Sequence, residues 1–216
     1  GSNGKSTVVK LLAKISNRYY RNTMLGGNIG ISFSKNVLEE LKKKLENTIH
    51  ILEISSFQLE KIYYFKPDIA CILNISKDHL DWLPNDQRTV EKIVFEKTSA
   101  LLNSNIIIAK QSTKETMDCI KNTISQNLSD KVFFNDDFSY LVNENGSFYY
   151  EDKLGGIKLP MPNVKGQFQL ENISTAIATL RTIKDFDIKD EHIQQGITKI
   201  DSIARLQEIK SGKLKE

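Results

Sequence analysis

The sequence runs to 216 residues, long enough to bury a sizeable core, and its 39% hydrophobic and 26% charged residues exclude a disordered chain. The 30 lysines and arginines are spread among 27 aspartates and glutamates, so the net charge of +3 forms no basic stripe for nucleic acid or a membrane surface. No stretch approaches the roughly 20 apolar residues of a membrane span, and no charged-then-apolar leader opens the chain.

In chain order, residues 6–17 carry helical spacing, and the short apolar, β-branched runs 49–54 and 69–75 read as strands buried on both faces. Helical spacing returns at 90–102, another strand at 106–109, and a further helix at 113–126. This alternation predicts an α/β fold, a doubly wound and mostly parallel sheet. From 132 to 159 the pattern changes to short aromatic strands broken by Asn145-Gly146 and Gly155-Gly156, which predicts hairpins forming a small antiparallel edge on that sheet. Helices are expected at 170–183 and 189–200, and nothing divides residues 1–216 into two domains. Cys71 and Cys119 lie in apolar or amphipathic segments without metal-ligand spacing and read as buried free thiols, which suggests a cytoplasmic protein.

Three segments carry chemistry. Gly1, Ser2, Asn3, Gly4, Lys5, Ser6 and Thr7 run straight into the first helical stretch. Glycines let backbone N–H groups wrap a phosphate and the helix N-terminus adds positive potential. A lysine there reaches the β/γ-phosphates, and a serine hydroxyl can ligate Mg²⁺. The full P-loop pattern needs a glycine five places before Gly4, outside the chain, so a glycine-rich turn capping an ordinary helix is the alternative. Glu53 falls within the first apolar run, near its carboxyl end, where open parallel sheets place ligand-binding groups. A carboxylate there can hold Mg²⁺, or it is simply a solvated acid. Asp78-His79-Leu80-Asp81 follows the second run at the same predicted edge, where His79 is a candidate ligand for a second metal. His50 and His192 read as ordinary solvated histidines.

Five segments in order resemble the Mur ligase superfamily: Gly1 to Thr7, Gly26-Gly-Asn-Ile-Gly30, Glu53-Ile-Ser-Ser-Phe-Gln-Leu-Glu60, Asn74-Ile75 and Asp78 to Asp81. Through Asp81 the chain is similar to the ligases that add D-glutamate to UDP-N-acetylmuramoyl-L-alanine. After about Trp82, the stretches from Thr89 to Lys97, Leu159-Pro-Met-Pro162 with Gly166, Gln169-Leu-Glu-Asn172 and Ile203 to Gln207 look more like folylpolyglutamate synthase. Both relatives imply a P-loop NTPase type of sheet.

The resemblance implies an ATP-dependent ligase that joins a carboxylate to an amine through an acyl phosphate, with small-molecule substrates and neither nucleic acid nor membrane as partner. By it, Lys5 and Ser6 serve ATP and Mg²⁺, Glu53 and His79 ligate two metals, and Asn28 and Ser55 contact a nucleotide-sugar substrate. Lys97 matches a lysine that the family carbamylates with CO₂ into an anionic metal ligand, against the plainer reading of a solvated helix lysine. Gln169 and Asn172 fall where the family contacts adenine, although Phe168 stands where a histidine is usual, and Arg205 falls where it contacts the γ-phosphate. A strand before Gly1 and a further domain after Glu216 are expected, so these 216 residues alone are expected to be inactive. A P-loop protein that only binds or hydrolyses ATP is the other class, and it leaves Glu53, Asp78-His79 and Lys97 together unexplained.

Overall fold

The structure, a computed structural model, describes residues 4–19, 22–60, 64–76, 88–98, 101, 103–144, 146–163, 166–184, 186 and 188–198. Its elements in order are α1 (Lys5–Tyr19), β1 (Thr23–Gly27), α2 (Phe33–Lys43), β2 (Ile49–Glu53), α3 (Ser56–Leu59), β3 (Ile69–Ile72), α4 (Val90–Thr98) and β4 (Asn105–Ile108). There follow α5 (Lys114–Thr123), β5 (Lys131–Phe133), β6 (Phe138–Asn143), β7 (Ser147–Asp152), β8 (Gly155–Pro160), α6 (Gln167–Thr182) and α7 (Asp190–Ile197).

Strand β4 shows why the fold is layered. Ile106, Ile107 and Ile108 are each fully buried. Successive strand side chains point to opposite faces, and Ile107 joins one apolar cluster while Ile106 and Ile108 join another. The first cluster draws on α1, α6 and α7, and the second on Val90, Ile93 and Val94 of α4 and Ile120 of α5. Helices therefore cover both faces, as the apolar runs predict. β4 pairs in parallel with β3, Ile69 opposite Asn105, and with β5, Ile106 opposite Lys131. β1 and β2 form a second parallel pair, Thr23 opposite Ile49 and Gly27 opposite Glu53.

The helix ends follow local chemistry. Ser32 caps α2 by accepting the Lys35 N–H, and Thr113 caps α5 by accepting that of Thr116. α2 stops at Lys44, which adopts φ 51° and leaves the helical path. Against α1, Gly196 of α7 comes so close that a Cβ there would lie 2.4 Å from Ile15 Cγ1.

The aromatic strands depart from expectation in two ways. Lys131–Phe133 joins the parallel sheet as β5, and β6, β7 and β8 form their own antiparallel sheet rather than extending the parallel edge. Chain reversal after β5 uses Asn135 at φ 70° and the Asp137 carboxylate, which accepts the Phe133 N–H at 2.7 Å. The second hairpin turns at Lys153-Leu154, with Asp152 opposite Gly155, so Gly155 and Gly156 belong to the strand. The Tyr149 ring lies over Gly156, its hydroxyl 1.8 Å from where a Cβ would stand. Phe148 and Tyr150 turn inward, and Arg181 of α6 bridges to Asp152 at 2.9 Å, with its guanidinium 5.7 Å from the Tyr150 ring centre.

Two histidines read as solvated are not. His50 is held by Glu40 at 2.8 Å and meets the Phe33 ring edge-on, because β2 packs against α2. His192 packs edge-on against Tyr19. Both cysteines are free thiols and half-buried. Cys71 Sγ lies 2.9 Å from the Thr179 hydroxyl, and burial pushes its thiol up to about 11. Among the described residues no helix is long and apolar enough to cross a membrane.

Candidate active site

Three contacts bring the strand ends to one edge. Ser6, in the first turn of α1, donates from Oγ to Glu53 Oε2 at 2.7 Å, which sets the start of α1 at the carboxyl end of β2. Asn172 of α6 lies against Gly4, and Glu171 pairs with Lys110, just past β4, at 3.0 Å. The N-termini of α1 and α6 and the carboxyl ends of β2 and β4 therefore meet, the arrangement in which open α/β sheets bind ligands.

Glu53 is the centre of this edge, only 4% exposed. Its Oε1 accepts the Asn28 side-chain amide at 3.2 Å, and its backbone carbonyl accepts the Asn28 N–H at 2.7 Å. Gly27 makes this approach possible. At φ 98°, a Cβ on it would lie 2.2 Å from the Glu53 carbonyl oxygen.

Gly4 stands at φ 84° and its carbonyl accepts the first helical bond, from Val8 N–H at 2.9 Å. A Cβ here would fall 2.2 Å from Asn172 Oδ1. Asn172 Nδ2 reaches Gln169 Oε1 at 3.3 Å, while Gln169 is fully buried and its Nε2 has no hydrogen-bond partner among the described residues. A buried amide left unsatisfied costs about 1–3 kcal/mol. Gly4→Ala is expected to cost about 1–3 kcal/mol from the left-handed backbone alone, with the clash in addition. In thermal melts, adding Asn172→Ala should return only part of the loss, because it relieves the clash and leaves the backbone strain. Full recovery would mean the backbone there is unstrained.

Ser55 caps α3, its hydroxyl accepting the Gln58 N–H at 3.4 Å while its own N–H donates to Gln58 Oε1 at 2.9 Å. Lys5, Asn28, Glu53, Ser55 and Lys97 all line one cavity of about 1000 Å³. Lys97 is half-buried in the last turn of α4, and Thr7 is buried in α1. Gly1, Ser2, Asn3, His79 and Arg205 lie outside the described residues.

The donor set suits one kind of metal. No three His, Cys, Asp or Glu side chains gather among the described residues. What is present is one carboxylate beside one hydroxyl, both hard oxygen donors. Mg²⁺ is usually held by one or two carboxylates and keeps several waters and phosphate oxygens, so Ser6 and Glu53 fit it. Lys110 with Glu171 was not singled out in the sequence, though Lys110 follows the apolar run 106–109 at the ligand-binding edge. The Glu171 partner holds the Lys110 pKa above its ordinary value.

Residues 1–180 match the family model described as the Mur ligase middle domain. The chain belongs to that family. A UDP-N-acetylmuramoylalanine–D-glutamate ligase of Caldicellulosiruptor saccharolyticus is 32% identical over 209 residues, covering 90% of this chain and 42% of the relative. This Mur ligase domain thus spans less than half of that relative's length. Among solved structures, an FPGS–AMPPCP complex superposes with a TM-score of 0.73 at 16% identity, covering 98% of this chain and 65% of the other. A bifunctional folylpolyglutamate synthase/dihydrofolate synthase from Yersinia pestis gives 0.72 at 20%, covering 97% and 58%. The resemblance to the D-glutamate-adding ligases is borne out by the curated relative, and the mostly parallel α/β fold by the solved structures.

Proposed function

We propose that this domain is the ATP-binding part of an amide-forming ligase that adds D-glutamate to UDP-N-acetylmuramoyl-L-alanine. The observation that carries the reading is the Ser6–Glu53–Asn28 cluster at the N-terminus of α1. It sets a hydroxyl and a carboxylate where a nucleotide's phosphates meet a helix end. The relative at 32% identity, matched over 90% of this chain, favours the D-glutamate-adding reaction over the folate one.

In this reading a carboxylate oxygen of the acceptor takes the γ-phosphoryl group of ATP, releasing ADP and leaving an acyl phosphate. The amine of D-glutamate then attacks the acyl carbon, phosphate leaves, and the amine loses a proton as the amide forms. Phosphoryl transfer depends mainly on positioning and on neutralising charge. Lys5 faces the β/γ-phosphates, and Glu53 and Ser6 hold Mg²⁺, which supplies charge neutralisation when bound. Gln169 and Asn172 serve the nucleotide base, and Asn28 and Ser55 the acceptor. His79 as ligand of a second metal and Arg205 toward the γ-phosphate complete the assignment. A cytoplasmic enzyme acting on small molecules is part of the same proposal.

Phosphate release by the full-length enzyme tests the whole reading. It is expected with UDP-N-acetylmuramoyl-L-alanine and D-glutamate together, and not with a folate and L-glutamate. The opposite preference would overturn the acceptor assignment and keep the ATP site.

Lys97 enters the proposal as a carbamate that serves as an anionic metal ligand. Carbamylation needs the neutral amine. Full-length enzyme carrying Lys97→Ala should lose ligation and regain part of it with added acetate, which can occupy the vacated anionic position. Undiminished ligation in the variant would make Lys97 an ordinary helix lysine.

A further inference from the structure

The pairing of β3 with β4 stops just before the ligand-binding edge. Their last registered pair is Ile72 opposite Ile108, and the Ala109 N–H donates to the Ile72 carbonyl at 2.9 Å. In a regular parallel ladder the next bond would run from the Asn74 N–H to the Ala109 carbonyl. Gln111 intervenes instead. Its Nε2 donates to the Ala109 carbonyl at 2.8 Å and to the Leu73 carbonyl at 3.3 Å, while its Oε1 accepts the Ile75 N–H at 3.0 Å. A side-chain amide thus stands in for a peptide group between two strands that have begun to part. Gln111 is buried, so the backbone groups it serves depend on it rather than on bulk water.

Its two neighbours in sequence also hold something. The Ser112 hydroxyl accepts the Asn74 side-chain amide at 3.2 Å, and Lys110 pairs with Glu171 of α6. α6 begins after Gly166 without a side-chain cap, so its first turns rely on tertiary contacts. Two of these are Asn172 against Gly4 and Glu171 on Lys110. Three consecutive residues therefore hold two elements at one edge. One is the chain leaving β3, whose next motif in sequence is Asp78-His79, and the other is the turn of α6 that carries Gln169 and Asn172.

We infer that Lys110, Gln111 and Ser112 form a positioning clasp, in which Gln111 and Ser112 set where the chain leaving β3 enters the ligand-binding edge and Lys110 sets the base-side turn of α6. The inference rests on the ligase reading and adds positioning residues to it. The two halves of the clasp act on different quantities. Gln111 governs the approach to the second-metal segment, and through it the alignment for phosphoryl transfer. Lys110 governs Gln169 and Asn172, and through them nucleotide affinity. The Lys110–Glu171 pair is partly exposed, so it adds little to overall stability and its loss should leave the thermal melt close to that of the parent.

The test uses the full-length enzyme and reads affinity for a fluorescent ATP analogue, kcat for phosphate release and hydrogen exchange at the Ile75 amide. Gln111→Met keeps the side-chain length and loses all three hydrogen bonds. It should lower kcat about 100-fold, the scale for a displacement of about 1 Å at a reaction site, with analogue affinity unchanged. Its Ile75 amide should exchange about tenfold faster or more. Gln111→Glu still accepts the Ile75 N–H but donates to neither carbonyl, so kcat should fall while Ile75 exchanges as in the parent. Lys110→Met should weaken the analogue about fivefold, the upper end for an exposed ion pair, with kcat unchanged. Exchanging the charges, Lys110→Glu with Glu171→Lys, should restore that affinity. Should one Gln111 variant fail to fold, the other carries the kcat comparison, and the Lys110 variants carry the affinity comparison.

Melting temperatures that fall while kcat and affinity stay at the parent's values would make the loop a structural tie and overturn the clasp. Equal losses of affinity in the Gln111 and Lys110 variants would overturn it too. A parent enzyme that binds the analogue but releases no phosphate with the proposed acceptor and D-glutamate fails the ligase reading instead, and the affinity and exchange measurements then decide the clasp by themselves.

Discussion

Lys5→Ala is expected to weaken ATP binding by about 100-fold while leaving the thermal melt close to that of the parent. A hydrogen bond to a charged group contributes about 1.5–3 kcal/mol, and each 1.4 kcal/mol is tenfold in affinity. Lys5 is the first residue of α1, half-buried and on the rim of the cavity, so its stem supports little of the core. Removing it leaves the Gly4 turn and the Ser6–Glu53 bond in place. The measurement is a titration of a fluorescent ATP analogue into both full-length proteins. Equal affinities would return the segment to a glycine-rich helix cap.

Glu53→Gln should lower turnover by on the order of 10³-fold, the scale seen when one preorganised charge-stabilising group is removed from a reaction site. The amide is nearly isosteric, and its oxygen can still accept from Asn28 or Ser6. The fold should therefore survive and the negative charge alone disappear. The discriminating readout is the Mg²⁺ dependence: the variant's activity should saturate only at much higher Mg²⁺. If turnover falls but its Mg²⁺ dependence is unchanged, Glu53 is holding the Asn28 loop and not a metal.

The covered strands and the helix after the glycine-rich segment were legible because burial on both faces leaves apolar runs. The runs at β2, β3 and β4 are read directly from Ile49, Ile69 and Ile106 onward. β1 was not, since Thr-Met-Leu-Gly-Gly lacks such a run and its glycines are there for close approach rather than for a turn. α2 escaped too, because Leu38 and Leu41 are exposed and only Asn36 is fully buried. Local pattern also misplaced the second hairpin, where the Asp152 carboxylate holds the Leu154 N–H and Gly155 and Gly156 belong to the following strand.

At the site, the motif residues were legible and their mutual contacts were not. Glu53 and Ser6 are 47 positions apart, and Asn172 presses on Gly4 across 168 residues of chain. Contacts of that range follow from how α1 docks on β2 and on α6, which no window of sequence contains. His50 was misread for the same reason, its partner Glu40 lying on the helix before the strand.

The Ser6–Glu53 bond has a kinetic consequence. A hydroxyl has one proton and two lone pairs, and by donating its proton to Glu53 the Ser6 oxygen keeps its lone pairs for an incoming cation. Asn28 meanwhile fixes the other carboxylate oxygen. The rotamer search of a glutamate, which costs up to about 2 kcal/mol, is thus completed during folding. In the proposed reading an arriving Mg²⁺ would find its ligands already in register, and the slow event would be the shedding of the ion's own tightly held water.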